Sequence, residues 1–295
     1  MMSDRFRILF SFVVIAVRLS TASVSAASIS TVPIADAFVA TGPTGNLSNN
    51  NYGGGGALGL AAPGLTNGEF QAVIKFDLSG VTSSLNAQFG MGQWSVQSVS
   101  LQLTSSPHNN VIYNDIVSGL FAVSLMQNTS WVEGSGNASN PATNGITYNT
   151  LQSTFISNAA DQALGVLSFP GGSSGANLYS LTLSSGLDAD ILSGGLVSLR
   201  LYAADNQVSY LFSSRAMPAL SQPQLIVTAV PEPASLALAG LFSIWLHRFC
   251  RRTIGLPATK PNPQAPSARV AGSGTATRVS SGRGEAVPKL RESEG

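Results

Sequence analysis

The chain has 295 residues, 44% of them hydrophobic. Only 10% are charged, against about 25% in an average globular protein. One cysteine and two histidines exclude an internal disulfide framework and a Cys/His zinc cluster. The net charge of +1 is split unevenly: residues 28–230 carry three bases and nine acids, whereas the chain from Arg248 onward carries nine bases and three acids. A mildly acidic body without basic clusters argues against a nucleic-acid partner.

At the start, Arg5 and Arg7 precede the apolar run Ile8 to Val17, and a small-residue stretch ends at Val24-Ser25-Ala26-Ala27. A charged start, an apolar middle and an A-x-A-like end form an export signal. Residues 1–27 therefore read as a signal peptide, cut after Ala26 or Ala27, and imply passage through Sec export machinery.

Period-two alternation dominates the body. Ala72, Ile74, Phe76 and Leu78 alternate with Val73, Lys75 and Asp77, and Val99, Leu101 and Leu103 with polar neighbours. Phe121, Val123 and Leu125 repeat the pattern, as do Leu181 and Leu183, and Val197, Leu199 and Leu201. Such spacing buries one face of a strand and wets the other. Further strands are expected over 35–40, 57–61, 208–212 and 224–229. No amphipathic helix of four turns is evident, and Leu187 to Leu192 reads as a single helical turn. The glycine run 53–56 is a flexible turn, since it lacks the Lys-Ser/Thr of a phosphate loop. Many strands with turn-rich connections and no staple predict an all-β fold, a jelly-roll-like antiparallel β-sandwich.

Beyond the body, Val230-Pro231-Glu232-Pro233 leads into the apolar run Ala234 to Leu246, then into a cluster containing Arg248, Arg251 and Arg252. The 13-residue run would span about 20 Å as a helix, short of a ~30 Å bilayer core. The one-sided basic flank still favours a membrane. The order Pro-Glu-Pro, apolar run, arginine cluster closely resembles the PEP-CTERM sorting signal. That resemblance implies recognition by an exosortase at Pro231, Glu232 and Pro233, with Arg251 and Arg252 as the stop cluster, and release to the surface or matrix. The chain departs from the family in its short run and in the 43 residues after Arg252. That tail, 253–295, reads as disordered and basic.

The body carries a second resemblance. Asp36-Ala37-Phe38-Val39, Asn51-Tyr52-Gly53, Val73 to Leu78, Trp131-Val132-Glu133-Gly134, Ile146-Thr147-Tyr148-Asn149 and Phe212-Ser213-Ser214-Arg215 occur in that order. Together they look like the DNRLRE-type domain, related to carbohydrate-binding module family 96, covering residues 28–229. The resemblance implies a secreted β-sandwich that binds polysaccharide without catalysis. Tyr148 stands where that family often has tryptophan, and 83–94 looks like an insert.

Serine-type catalysis would need a base, and the only body histidine, His108, sits in a turn-like run. A carboxylate-only polysaccharide-degrading enzyme remains one alternative; a structural or adhesive matrix protein is another. Sugar binding calls for aromatic faces beside hydrogen-bonding groups, and Trp94, Trp131 and Tyr148 are the candidates. Trp131 and Tyr148 bracket a polar loop, so the competing expectation makes them packed anchors of that loop, with Glu133 locking it. Asp36 and Asp205, with nearby carbonyls, are the candidate ligands for a structural calcium. No other cofactor is expected. Cys250 and His247 belong to the tail.

Overall fold

The computed structural model describes residues 25–105, 113, 117–171 and 175–232. The expected signal and tail helices, Pro233, Arg251, Arg252, His108 and the 253–295 tail lie outside them.

Eleven strands dominate the described chain, and every pairing is antiparallel. In chain order they are β1 (Ala27–Thr31), β2 (Pro33–Ala40), β3 (Ala57–Ala61), β4 (Phe70–Asp77), β5 (Trp94–Ser105), β6 (Gly119–Met126), β7 (Gln162–Phe169), β8 (Gly175–Leu181), β9 (Leu196–Ala203), β10 (Ser209–Ser213) and β11 (Gln224–Pro231). The fold is all-β, as the alternation predicts.

One set of strands runs β2-β4-β9-β6-β7, and another runs β1-β11-β5-β8. The β3–β10 ladder links them through single bridges, Ala61 to Phe70 and Phe212 to Ser105. The apolar faces of both sets enter one core. Ile74, Phe76, Phe121, Leu199 and Leu201 come from the first set, and Leu101, Tyr179 and Val227 from the second. A chain of rings runs through it: Tyr179 meets Phe121 edge-on, Phe121 meets Phe212, and Phe212 meets Phe169.

Two helices cap strand ends. α1 (Ser79–Phe89) starts where Asp77 Oδ1 accepts from the Ser79 N–H, and it buries Val81, Thr82 and Leu85. The run is so rich in Ser and Gly that its three inward positions leave little apolar periodicity, and no helix is expected there from sequence. Trp94 folds back against it, its Nε1 donating to Asn86 Oδ1 at 2.8 Å. The turn expected near Leu187 is a full helix, α2 (Ser185–Ser193). Ser184 caps it at one end and Gly194, at φ +71°, closes the other. Among the described residues, no helix is long and apolar enough to cross a membrane.

The outer face of β2-β4-β9-β6 is partly covered by an excursion, residues 127–161, between β6 and β7. Asp161 latches its two ends, accepting from Gln127 N and Ser157 N at 3.0 Å each. Ala37, Val39, Val73 and Met126 on the sheet meet Trp131, Ile146 and Leu151 of the excursion in a second, smaller core.

Asn51, fully buried, pins the excursion to the β2–β3 connection. Its Nδ2 donates to the carbonyls of Glu133 (2.6 Å) and Ile146 (2.8 Å), while Oδ1 accepts from Gly53 N and Gly136 N. All four hydrogen-bonding positions of the amide are used. Glycines make this approach possible: a Cβ on Gly136 would overlap the Asn51 carbonyl, and one on Gly145 would sit 2.6 Å from Asn51 Nδ2.

Candidate functional site

Trp131 and Trp94 are not available to a sugar. Trp131 is 1% exposed and Trp94 3%, so their faces are covered by protein. Trp131 lies under the excursion, its Nε1 donating to Ser198 Oγ on β9 at 3.0 Å. Lys75 Nζ on β4 sits 4.4 Å from the Trp131 ring centre and donates to the Trp131 carbonyl at 2.6 Å. Burial pulls the Lys75 pKa down. The packed-anchor reading of Trp131 describes what is found.

Glu133 locks the same excursion. Its carboxylate takes both Nε and Nη2 of Arg215, the closest contact being 2.5 Å, and accepts from Asp36 N at 3.4 Å. Asp36 is 1% exposed and accepts from Arg215 N at 2.6 Å. Burial, aided by the Glu133 charge and opposed by Arg215, pushes the Asp36 carboxyl up to about 7.

The two calcium candidates accept from backbone donors: Asp205 from Leu120 N and Gln207 N, and Asp36 from Arg215 N. Among the described residues, no three His, Cys, Asp or Glu side chains gather as a metal-ligating group.

Tyr148 is the aromatic candidate that stays partly exposed, with its ring packed in part against the second core. Thr147 caps the short helix α3 (Tyr148–Thr150), which continues as one wide π-type turn, Leu151–Phe155. Turns of this kind recur at functional sites because they re-aim side chains. The Tyr148 hydroxyl donates to Glu69 Oε2 at 2.6 Å. Glu69 Oε1 accepts from Gln71 Nε2, and Gln71 Oε1 accepts from Arg200 Nε at 2.7 Å and Gln152 Nε2 at 3.5 Å. The Arg200 guanidinium lies 4.2 Å over the Tyr202 ring centre.

Gln71 on β4 and Arg200 on β9 share the outer face with Lys75 and Ser198, because residues two apart on a strand point the same way. The cluster therefore borders the excursion on the same sheet face. Burial, then the Glu69 hydrogen bond, push the Tyr148 phenol up to about 12, so at neutral pH it donates a proton and does not act as a base. The Arg200 bond to Gln71 engages Nε, and among the described residues no hydrogen bond from its two Nη groups is found. Planar amide and guanidinium groups beside two tyrosine rings can read hydroxyls and stack on C–H faces.

A neighbouring cleft of about 330 Å³ is lined by Phe38, Tyr52, Phe70, Tyr113 and Leu211, with Ala138 and Pro141 on the excursion side. Phe38 and Tyr52 stack with ring centres 4.7 Å apart. It is more apolar than the Tyr148 cluster and supplies fewer groups to read hydroxyls.

Glu69, Gln71, Gln152 and Arg200 were not singled out from sequence as site residues. A signal was present at Arg200, a lone cation inside the strand Leu196-Val197-Ser198-Leu199-Arg200-Leu201. Pro231 and Glu232, the residues that carry the resemblance to a sorting signal, are built into the fold: Pro231 pairs with Trp94, and Glu232 N donates to Gln93 O at 2.9 Å. Compared with known proteins, the chain matches no family model and no curated protein.

Proposed function

We propose that this chain is an exported, non-catalytic protein of the cell surface or extracellular matrix. In this reading its jelly-roll-like β-sandwich associates with exopolysaccharide or cell-surface glycan. Sec machinery and an exosortase-type enzyme process its two ends, the second at Pro231-Glu232-Pro233, and the precursor is membrane-tethered until release. No cofactor is required.

The supporting observation is the Tyr148 cluster: two partly buried tyrosine rings beside Glu69, Gln71, Gln152 and Arg200 on one sheet face. Sugar recognition combines a ring face with directional donors and acceptors, and this cluster supplies both. The test is a glycan array and matrix-polysaccharide pull-down with the exported protein, Tyr148→Ala and Tyr202→Ala. Loss of capture in both variants, with unchanged thermal unfolding, is the expected result. Retention of full binding by both variants, or no capture by the parent protein, refutes the assignment.

A further inference from the structure

We infer that the turn Gly90–Gln93, together with the adjoining start of β1 and end of β11, is the face of the β-body that lies against lipid headgroups. The inference rests on the tethered-precursor reading above and names the surface that meets the membrane. The register of β1 on β11 places Ala27 opposite Ala229, so both chain ends leave the body at one pole. β11 continues past that point: Val230 faces Ser95, Pro231 faces Trp94, and Glu232 N is bonded to Gln93 O. In the sequence the apolar run begins at Ala234, two positions after Glu232. Two extended residues reach about 7 Å. A run held in lipid therefore leaves the Gly90–Gln93 turn no room to stand away from the headgroups.

The chemistry of this pole agrees. No Asp, Glu, Lys or Arg occurs in 25–35, 78–105 or 216–231, the stretches that contain β1, α1, β5 and β11. Glu232 is a charge at the pole, Asp77 stands at the other end of α1, and Asp188 and Asp190 lie on α2, which packs against α1. An uncharged surface approaches anionic headgroups without the repulsion that the acidic remainder of the body would meet. Met91, 83% exposed at the tip of the turn, offers an apolar side chain to the interface. Such a contact is weak alone, and the tether supplies the effective concentration that holds it.

The opposite end of the body points away. β5 has 12 residues, roughly 35–40 Å of strand. Its far residue, Ser105, pairs with Phe212, next to the cleft that Leu211, Ala138 and Phe70 line. Glu69 and Gln71 flank Phe70, so the Tyr148 cluster belongs to that outward end.

The test uses the full chain not processed at Pro231-Glu232-Pro233, with Cys250→Ser, labelled with a fluorophore at Met91→Cys or at Ser139→Cys on the outward excursion. Vesicles of phosphatidylethanolamine and phosphatidylglycerol carry a headgroup-nitroxide lipid, and flotation reports tethering separately from quenching. The label at 91 is expected to lose most of its emission and the label at 139 to keep it. Floating chains with an unquenched label at 91, or equal quenching at both positions, overturn the inference while the tether stands. Chains that do not float overturn the tethered reading and the inference with it.

Discussion

Asp36 makes the stability of this protein depend on pH in an unusual direction. Its carboxyl is buried, and its pKa in the folded chain is about 7, against an ordinary value of 3.8. The folded state therefore holds this proton more tightly than the unfolded state. The stability it contributes is complete below about pH 4, is lost progressively as pH rises to about 7, and is absent above that. At ~1.36 kcal/mol per pH unit, the full loss is of order 4 kcal/mol. Urea unfolding at about pH 4, 5, 6, 7 and 8 measures it, with Asp36→Asn as the reference because the amide can still accept from Arg215 N. The expected result is a wild-type stability that falls relative to the variant by several kcal/mol between about pH 4 and 7, then runs parallel. A wild-type-minus-variant difference that stays constant across that window refutes the reasoning.

Trp131→Ala should cost about 3–5 kcal/mol in urea unfolding, since it empties the centre of the second core. Trp131→Phe, which keeps most of the packing but loses the Ser198 bond, should cost less, and an equal cost for both would contradict the anchor role. Asn51→Ala should destabilise by about 2–4 kcal/mol through four lost hydrogen bonds. It should also open the excursion to proteolysis between Val132 and Ile146 before global unfolding; cleavage elsewhere first would count against the pinning role. Intact-mass measurement of the exported protein should show a chain beginning at Ala27, because a cut after Ala27 removes the first β1 pair, to Ala229. A chain beginning at Ser28 would show that this pair is dispensable.

The elements legible from sequence were those whose physics is local. β3 has the expected limits, and β2, β4, β6, β9, β10 and β11 lie within a few residues of theirs. In each, large apolar residues recur at every second position on the face that enters the main core, even where the excursion covers the other face. β7 escaped because its ladder with β6 shifts register between Val123 and Ser124, so its buried residues fall at Leu164, Leu167 and Phe169 and the alternation is broken. α1 escaped because serine and glycine fill its outward turns.

Composition, the export-like start and the all-β class were decided by the order of residues alone. Which aromatics remain reachable was not. Residue type makes Trp94, Trp131 and Tyr148 equivalent, but Trp131 meets Ser198 from 67 positions away and Tyr148 meets Glu69 from 79 away. Those distant pairings bury the first ring and leave the second partly exposed. Only the tertiary fold could make that choice, because solvent access depends on which strands become neighbours and on where the excursion comes to rest.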